Sequence, residues 1–564
     1  MLQIISGKFF DSDDRFHNDK KAILYSNAAF RGKTQMGHLY IESVQAYGNI
    51  SSYIVSFDSQ IQKTPSNFQL VDVGGEEVIR QFKNIISFYL CSIFDEEKGV
   101  VERVCRKGDG TRGIKLPSDF AYDVVAYKKF IEPADIESCN LFIKHLVGLP
   151  RKDYINILNC IVAYNSSIKL LADDISLAYS LLVYCLESLT QSYDNFITTW
   201  NDVDESKRDK LEEIFKEISP EKAEQIKEIL YTDANLKLAK RFNSFVVEYT
   251  SDEFFEGVVG KKRISKSEYE VALKNAYNIR SKYAHMLKPL MKELSMAELT
   301  KDSDIFEFQK EVFFTYSGLL RATREVIINF TNSLKEVEKE EYDWHNELPG
   351  MFSVEMPPYY WIGRGSDVKG ESASERFEGL LQCIVYYNQM VPRMDEVVCT
   401  YLNHLEEMKK ENKKAAFAVC VLYVETIQNV EEKTKELYSL KFEKYIKLFK
   451  ECNIYAITIC TLSPEISEKC RWNIEDIEQV LEKYNQRKYK KNSIKLPKEI
   501  QAILYLTLAQ MFSENEEKQD VWWDKAYDIL NNNREIQKQL KEYKDSKMDY
   551  NIFEIWKWIY ENYK

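Results

Sequence analysis

No stretch of this sequence is apolar for long enough to cross a bilayer. The longest such runs, Ala415–Val424 and Ile175–Leu186, fall short of the ~20 residues a spanning helix needs. The first ten residues, Met1–Phe10, lack the charged-then-apolar layout of a secretory leader. Paired cysteines are missing as well: the 11 cysteines are scattered singly, with no Cys-x-x-Cys. Several, such as Cys185, Cys383 and Cys420, sit within apolar helical patterns, where the thiol behaves as a small hydrophobe. A disulfide framework and a cysteine zinc site are thereby excluded, and a reducing, cytoplasmic setting without membrane contact is expected. Positive charge is in deficit, 77 Lys and Arg against 89 Asp and Glu, for a net charge of −12. Such a chain does not coat nucleic acid through a general field, so any RNA must be held in a local basic cleft. Histidine is scarce. Of the 6 present, His17, His38, His145, His345 and His404 have no companions at ligand spacing. No carboxylate cluster has the layout of a metal nuclease, so neither a metal nor another cofactor is expected.

Read in order, the chain changes texture near residue 150. Leu2–Ile5, Ala22–Tyr25, His38–Ile41, Ser52–Phe57 and Phe68–Val71 are short β-prone runs separated by turn-rich segments such as Asp11–Asp14 and Thr64–Asn67. Val78, Phe82, Ile85, Ile86 and Tyr89 mark one helix, and Val100–Arg106 reads as another strand. Lys107–Gly113 is a glycine-bearing loop without the Gly-Lys-Ser/Thr ending of a P-loop, and reads as a hairpin turn. Residues 1–149 are expected to form a β-rich α+β recognition module with no visible catalytic set.

Helical spacing follows over Tyr154–Asn165, Ile175–Phe196 and Glu221–Leu230, the last after the start signal Ser219-Pro220. Phe242–Phe255, a helix opened by Ser265, and a long helix from Ile305 to about Lys335 complete a bundle over 150–335. Residues 336–374 break the pattern with prolines, glycines and the aromatic cluster Tyr359–Trp361, and read as an ordered linker. From 375 to 564 come helices at 375–391, 394–411, 413–431, 434–452, 474–485, 498–513, 520–532 and 549–562. Several pair at a period of roughly 35–40 residues, the spacing of helical-repeat solenoids. Within them Trp522–Leu530 resembles the second helix of a tetratricopeptide unit, and Arg487–Lys491 is a basic run that reads as a solvated loop. The expected fold is mainly α.

The segment Ser265–Pro289 carries the chemistry. Ser265 with Glu268 forms a capping box, and Pro289 disfavours helical geometry at Lys288, so a helix spans the residues between. Tyr269, Ala272, Ala276, Ile279 and Tyr283 make its apolar stripe. Near its end stand Arg280 and His285, neither on that stripe, so removing either is expected to cost no more than about 1–2 kcal/mol of stability. Arginine stays protonated and offers a planar fork suited to phosphate. Histidine exchanges a proton near neutrality. Five positions at about 100° each set the two side chains roughly 140° apart, flanking a groove. Glu187, on an otherwise apolar helix, reads as a surface carboxylate ahead of a group orienting Arg280.

Ala276–His285 resembles the Arg-x4-His signature of HEPN domains, particularly the Apea-like type of prokaryotic anti-phage, abortive-infection ribonucleases. Leu177–Leu189 is similar to the earlier core helix of the same domains. Ser281 departs from the pattern, standing where Asn, Asp or His is common. The resemblance implies a central HEPN-like helical bundle and a metal-independent endoribonuclease, a toxin of antiviral defence that cuts host or phage RNA. In that chemistry the ribose 2′-hydroxyl attacks the adjacent phosphate, leaving 2′,3′-cyclic phosphate and 5′-hydroxyl ends. Arg280 would stabilise the phosphorane charge and His285 would move the proton, while Lys282, Lys288, Lys262 and Arg263 would hold the RNA backbone. The single motif implies a C2 homodimer that pairs two copies, with Tyr283, Met286 and Leu287 at the contact, and a phage protein or nucleic acid as trigger. A second implied reading is a non-catalytic HEPN scaffold or sensor that binds a phage or host partner. A third, silencing by nucleotide transfer onto a tyrosine, ranks low because Leu287 occupies that tyrosine's position.

Overall fold

The computed structural model describes the chain apart from residues 46–47, 64–73, 107–115, 194–198, 204, 232–237, 350, 353, 366–367, 369, 388–389, 492, 547–556 and 558–564. The fold is mainly α with a β-rich N-terminal region, and it divides into two compact units, Met1–Ser353 and Val354–Lys564.

The first unit opens with a five-stranded antiparallel sheet in the order Lys33–Met36, Leu39–Gln45, Ser51–Asp58, Asp19–Ser26, Phe94–Asp95. Strand Ser51–Asp58 buries Ser51, Tyr53, Val55 and Phe57 in strict alternation, the period of a sheet with one face on the core. Helix Gly75–Tyr89 packs Val78, Phe82, Ile85 and Ile86 into that core. Two expected strands are helices instead. Leu2–Ile5 is a helical turn with all four residues buried, and Lys98–Val104 is a helix that buries Val101 and Val104. Spacing of three is helical, and a short apolar run does not distinguish the two states by itself. The expected strand Phe68–Val71 and the loop Lys107–Gly113 lie outside the described residues.

Helical structure begins before residue 150, with Pro133–Gly148, and resumes two residues later with Arg151–Leu170. The boundary expected at 149/150 therefore runs through a shared core, in which Leu146, Leu149, Tyr154 and Ile157 are all buried. Helix Ile175–Tyr193 is the hub. It touches Arg151–Leu170, Leu238–Glu248, Lys266–Met286 and Tyr316–Ser333, which explains why it is apolar nearly all round. The helix expected over Phe242–Phe255 stops at Glu248 and gives way to a 3-10 turn at Glu253–Phe255.

The long helix expected from Ile305 is corrected most clearly. Ile305–Phe308 and Glu311–Phe314 form an antiparallel hairpin, and the helix starts only at Tyr316. Gln309 and Lys310 both take positive φ, 50° and 69°, the two-residue reversal that suits the twist of a hairpin. Gly318, in the first turn of that helix, lies so close to the hairpin that an added Cβ would stand 2.1 Å from the Asp304 carbonyl oxygen.

The expected linker divides between the units. Trp344 and Leu348 belong to the first core, Ile362 and Ala373 to the second. In the second unit, helix Lys410–Thr426 is buried continuously from Lys414 to Tyr423 and touches Ala373–Tyr386, Asp395–His404 and Ile454–Leu462. The helix expected over 394–411 ends at His404, followed by a 3-10 turn at Leu405–Glu407. Ile454–Leu462 and Arg534–Ser546 are further helices that periodicity did not reveal. The first of these is too uniformly apolar to have a stripe. The helix expected over 549–562 lies outside the described residues.

Candidate active site

The helix that carries Arg280 and His285 runs over Lys266–Met286, as its end signals require. At its start the Ser265 N–H donates to Glu268 Oε2 at 2.9 Å and the Ser265 hydroxyl donates to the same oxygen at 2.6 Å. Those bonds hold the Glu268 carboxyl below its ordinary pKa. Along its length Tyr269, Ala272, Leu273, Ala276 and Arg280 are buried. Arg280 therefore extends the buried stripe and is not separate from it, which corrects the expectation that it stands off the stripe.

The surroundings of Arg280 explain how a charge is tolerated there. Its side chain is 8% exposed, and Nη2 pairs with Oε2 of Glu187, itself 13% exposed. Glu187 is thus a half-buried counter-ion and not the surface carboxylate that its sequence position suggested. The Arg280 guanidinium carbon lies 4.7 Å from the ring centre of Tyr277 and 4.9 Å from that of Tyr184. Tyr277 also points its hydroxyl at Glu187 Oε1, at 3.5 Å. Burial pulls the guanidinium's pKa down from its ordinary value, yet arginine starts so high that the group stays charged. Its Nε is buried without an acceptor among the described residues. Such orphaned donors are rare and cost about 1–3 kcal/mol.

His285 has the opposite setting. It is exposed and meets no hydrogen-bond partner among the described residues, with Lys282 and Lys288 exposed nearby. The helix end that presents it is firmly anchored. The Tyr283 hydroxyl donates to Asp174 Oδ2 at 3.0 Å, while Asp174 Oδ1 accepts from Ser176 N at 2.8 Å and Leu177 N at 3.0 Å. One carboxylate thus caps the Glu187 helix and pins the end of the motif helix. Leu290 N donates to Ser176 Oγ at 3.0 Å and fixes the exit of the chain. The helix closes on Leu287, whose φ of 51° is left-handed, where glycine is the usual residue. Met286 and Leu287 are 64% and 77% exposed.

The four expected RNA-binding residues divide into two groups. Lys282 and Lys288 lie at the His285 end. Lys262 and Arg263 precede the helix, roughly 30 Å away at 1.5 Å per residue, so one protomer does not bring them to His285. They are also engaged: Lys262 pairs with Glu307 at 2.6 Å and Arg263 with Asp304 at 3.2 Å. Among the described residues no group of three or more His, Cys, Asp or Glu is placed to hold a metal ion, and no helix is long and apolar enough to cross a membrane. Sequence reading missed Tyr184, Tyr277 and Asp174. A faint signal existed for the first two, because each tyrosine precedes its charged residue by three positions on the same helix face. No family model, curated protein or solved structure matches this chain.

Proposed function

We propose that the protein is a metal-independent endoribonuclease of the HEPN type acting in anti-phage defence, with Arg280 and His285 as its reactive pair. The observation that supports this reading most is the arrangement at the end of one anchored helix. An arginine with a fixed counter-ion stands five residues before an exposed histidine, with Lys282 and Lys288 in solvent beside it. His285 is free to take the 2′-hydroxyl proton. The Arg280 charge, five residues earlier on the same helix and paired with Glu187, would stabilise the negative charge that develops at phosphorus. A left-handed leucine at the turn and an orphaned Arg280 Nε are features that stability alone does not favour, and such features gather at working sites.

A single histidine and a single recessed cation make a thin site. A C2 homodimer that sets two motif helices face to face supplies the second pair, with exposed Met286 and Leu287 at the contact. The burial of Arg280 also favours a second reading, in which the ion pair is structural and the bundle is a non-catalytic scaffold or sensor that binds a phage or host partner.

Purified protein incubated with total RNA, followed by sequencing of 5′-hydroxyl ends, separates the two. On the first reading defined ends accumulate with the wild type and vanish in His285→Ala at unchanged melting temperature. Cleavage that survives in His285→Ala, or none by the wild type and in phage-challenged cells, rejects the nuclease reading. Light scattering of wild type and Leu287→Asp tests the dimer: a monomer that cuts at full rate sinks the composite site.

A further inference from the structure

At the other end of the motif helix, a cavity of about 200 Å³ lies between the N-terminal β-rich region and the bundle. Its inner wall carries three half-buried guanidinium groups, Arg263, Arg321 and Arg324, and the buried Tyr164. The charges in this wall do not balance. Asp304, 4% exposed, is shared: it accepts from Arg263 at 3.2 Å, from Arg321 Nε at 3.3 Å and from Ile264 N at 3.3 Å. One carboxylate therefore serves two arginines. Arg324 has no carboxylate within ion-pair distance among the described residues. Its Nε and Nη2 donate to the carbonyls of Phe88 and Tyr89, at 3.3 and 2.5 Å, which caps the C-terminal end of helix Gly75–Tyr89 and leaves Nη1 without a partner among the described residues. The half-buried Asp119 is already used, accepting from Leu116 N at 2.9 Å. At the rim Lys261 pairs with Asp123 at 2.5 Å, and Lys301 and Asp302 are exposed.

Two features of this wall call for a ligand. The residue Tyr164 is 1% exposed and lines the cavity, and its hydroxyl meets no hydrogen-bond partner among the described residues, so it is free to bond a group bound there. The lining also holds five cations, Lys261, Arg263, Lys301, Arg321 and Arg324, against four carboxylates, Asp119, Asp123, Asp302 and Asp304, so one positive charge is left over, in a space too small for most drug-sized ligands. A phosphoryl group brings negative charge on several acceptor oxygens and accepts from a guanidinium and a hydroxyl at once.

We propose that this cavity binds a small phosphorylated metabolite, no larger than a sugar phosphate, through Arg324 and the Tyr164 hydroxyl. The site touches both the β-rich region, through Ser118 and Cys91, and the segment just before the motif helix, through Lys261 and Arg263. Occupancy would therefore tie the recognition region to the bundle independently of what the His285 end does.

Isothermal titration of the full chain with inorganic phosphate and with ribose 5-phosphate, at constant ionic strength, tests this. The expected result is saturable binding of at least one probe, weakened about tenfold or more in Arg324→Gln and severalfold in Tyr164→Phe. Tyr164→Phe removes only a hydroxyl, so it decides the matter if Arg324→Gln fails to fold. A rise in melting temperature with phosphate in the wild type but not in Tyr164→Phe is the companion readout. No heat from either probe up to about 10 mM overturns the proposal, since weaker binding has no use in a cell. Equal binding by both variants places the anion elsewhere and overturns it too.

Discussion

The two ends of the motif helix are built on opposite plans. At its N-terminal end each cation of residues 261–266 faces a carboxylate: Lys261 has Asp123, Lys262 has Glu307, Lys266 has Asp252, and Arg263 shares Asp304 with Arg321. At its C-terminal end Lys282, His285 and Lys288 stand in solvent, and among the described residues the charge with a counter-ion is the one sunk into the bundle, Arg280 on Glu187. A helix C-terminus attracts positive charge through its unpaired carbonyls, and this one leaves that charge available. Neutralised cations hold a fold together, whereas exposed ones near a titratable group have chemistry to offer.

The contrast is broken or sharpened first by the charge on the buried stripe. Arg280→Ala strands the Glu187 carboxylate among Tyr184 and Tyr277 and is expected to cost about 3–5 kcal/mol in a denaturation curve. His285→Ala, at an exposed position, is expected to stay within about 0.5 kcal/mol. Adding Glu187→Gln to Arg280→Ala should recover part of the loss, because the two share one interaction. Equal stabilities for the two single variants would mean that Arg280 is not held as described.

At the opposite end Asp304→Ala leaves two arginines and the Ile264 N–H without their acceptor, and about 3 kcal/mol is the expected loss. Lys288→Ala is its control, expected to be neutral in stability by the same melt. A comparable loss at Lys288 would erase the difference between the ends.

Leu287→Gly acts in the other direction. Glycine takes the left-handed turn without strain, so a gain of about 0.5–1 kcal/mol is expected after its extra chain entropy is deducted. If Leu287 also lies at a subunit contact, light scattering will show a weaker dimer from a more stable protomer.

The smallest effect is one of pH. The Glu268 carboxyl, held by the Ser265 hydroxyl and N–H, titrates below its ordinary 4.5 in the folded chain. A lowered acid pKa stabilises above the unfolded value and loses that contribution as pH falls through the folded one. Glu268→Gln should therefore narrow the difference between melting temperatures measured above and below pH 4.5, with little change elsewhere. No change in the acid limb would show that the cap bond contributes nothing.

How much of this was legible in advance depended on the range of the interaction. The motif helix, its Ser265 start and its end before Pro289 were readable because capping and proline geometry act within a few residues. The strand Ser51–Asp58 and helix Gly75–Tyr89 were readable from their periods. Ile305–Phe314 was misread as helix because Ile305, Phe306, Phe308, Val312, Phe313 and Phe314 fit either period, and the reversal at Gln309 and Lys310 uses neither glycine nor asparagine.

The sequence by itself determined the helical character, the ends of the motif helix and the presence of an arginine and a histidine about 140° apart around it. Which of the two faces inward was decided only by tertiary structure. Arg280 is buried because the hub helix Ile175–Tyr193 brings Glu187 and Tyr184 against it from far away in the chain, and His285 is exposed because no described residue covers its side of the last turn. The environment of a charge is set by atoms gathered from distant segments. A local pattern fixes direction around a helix axis, but not what lies in that direction.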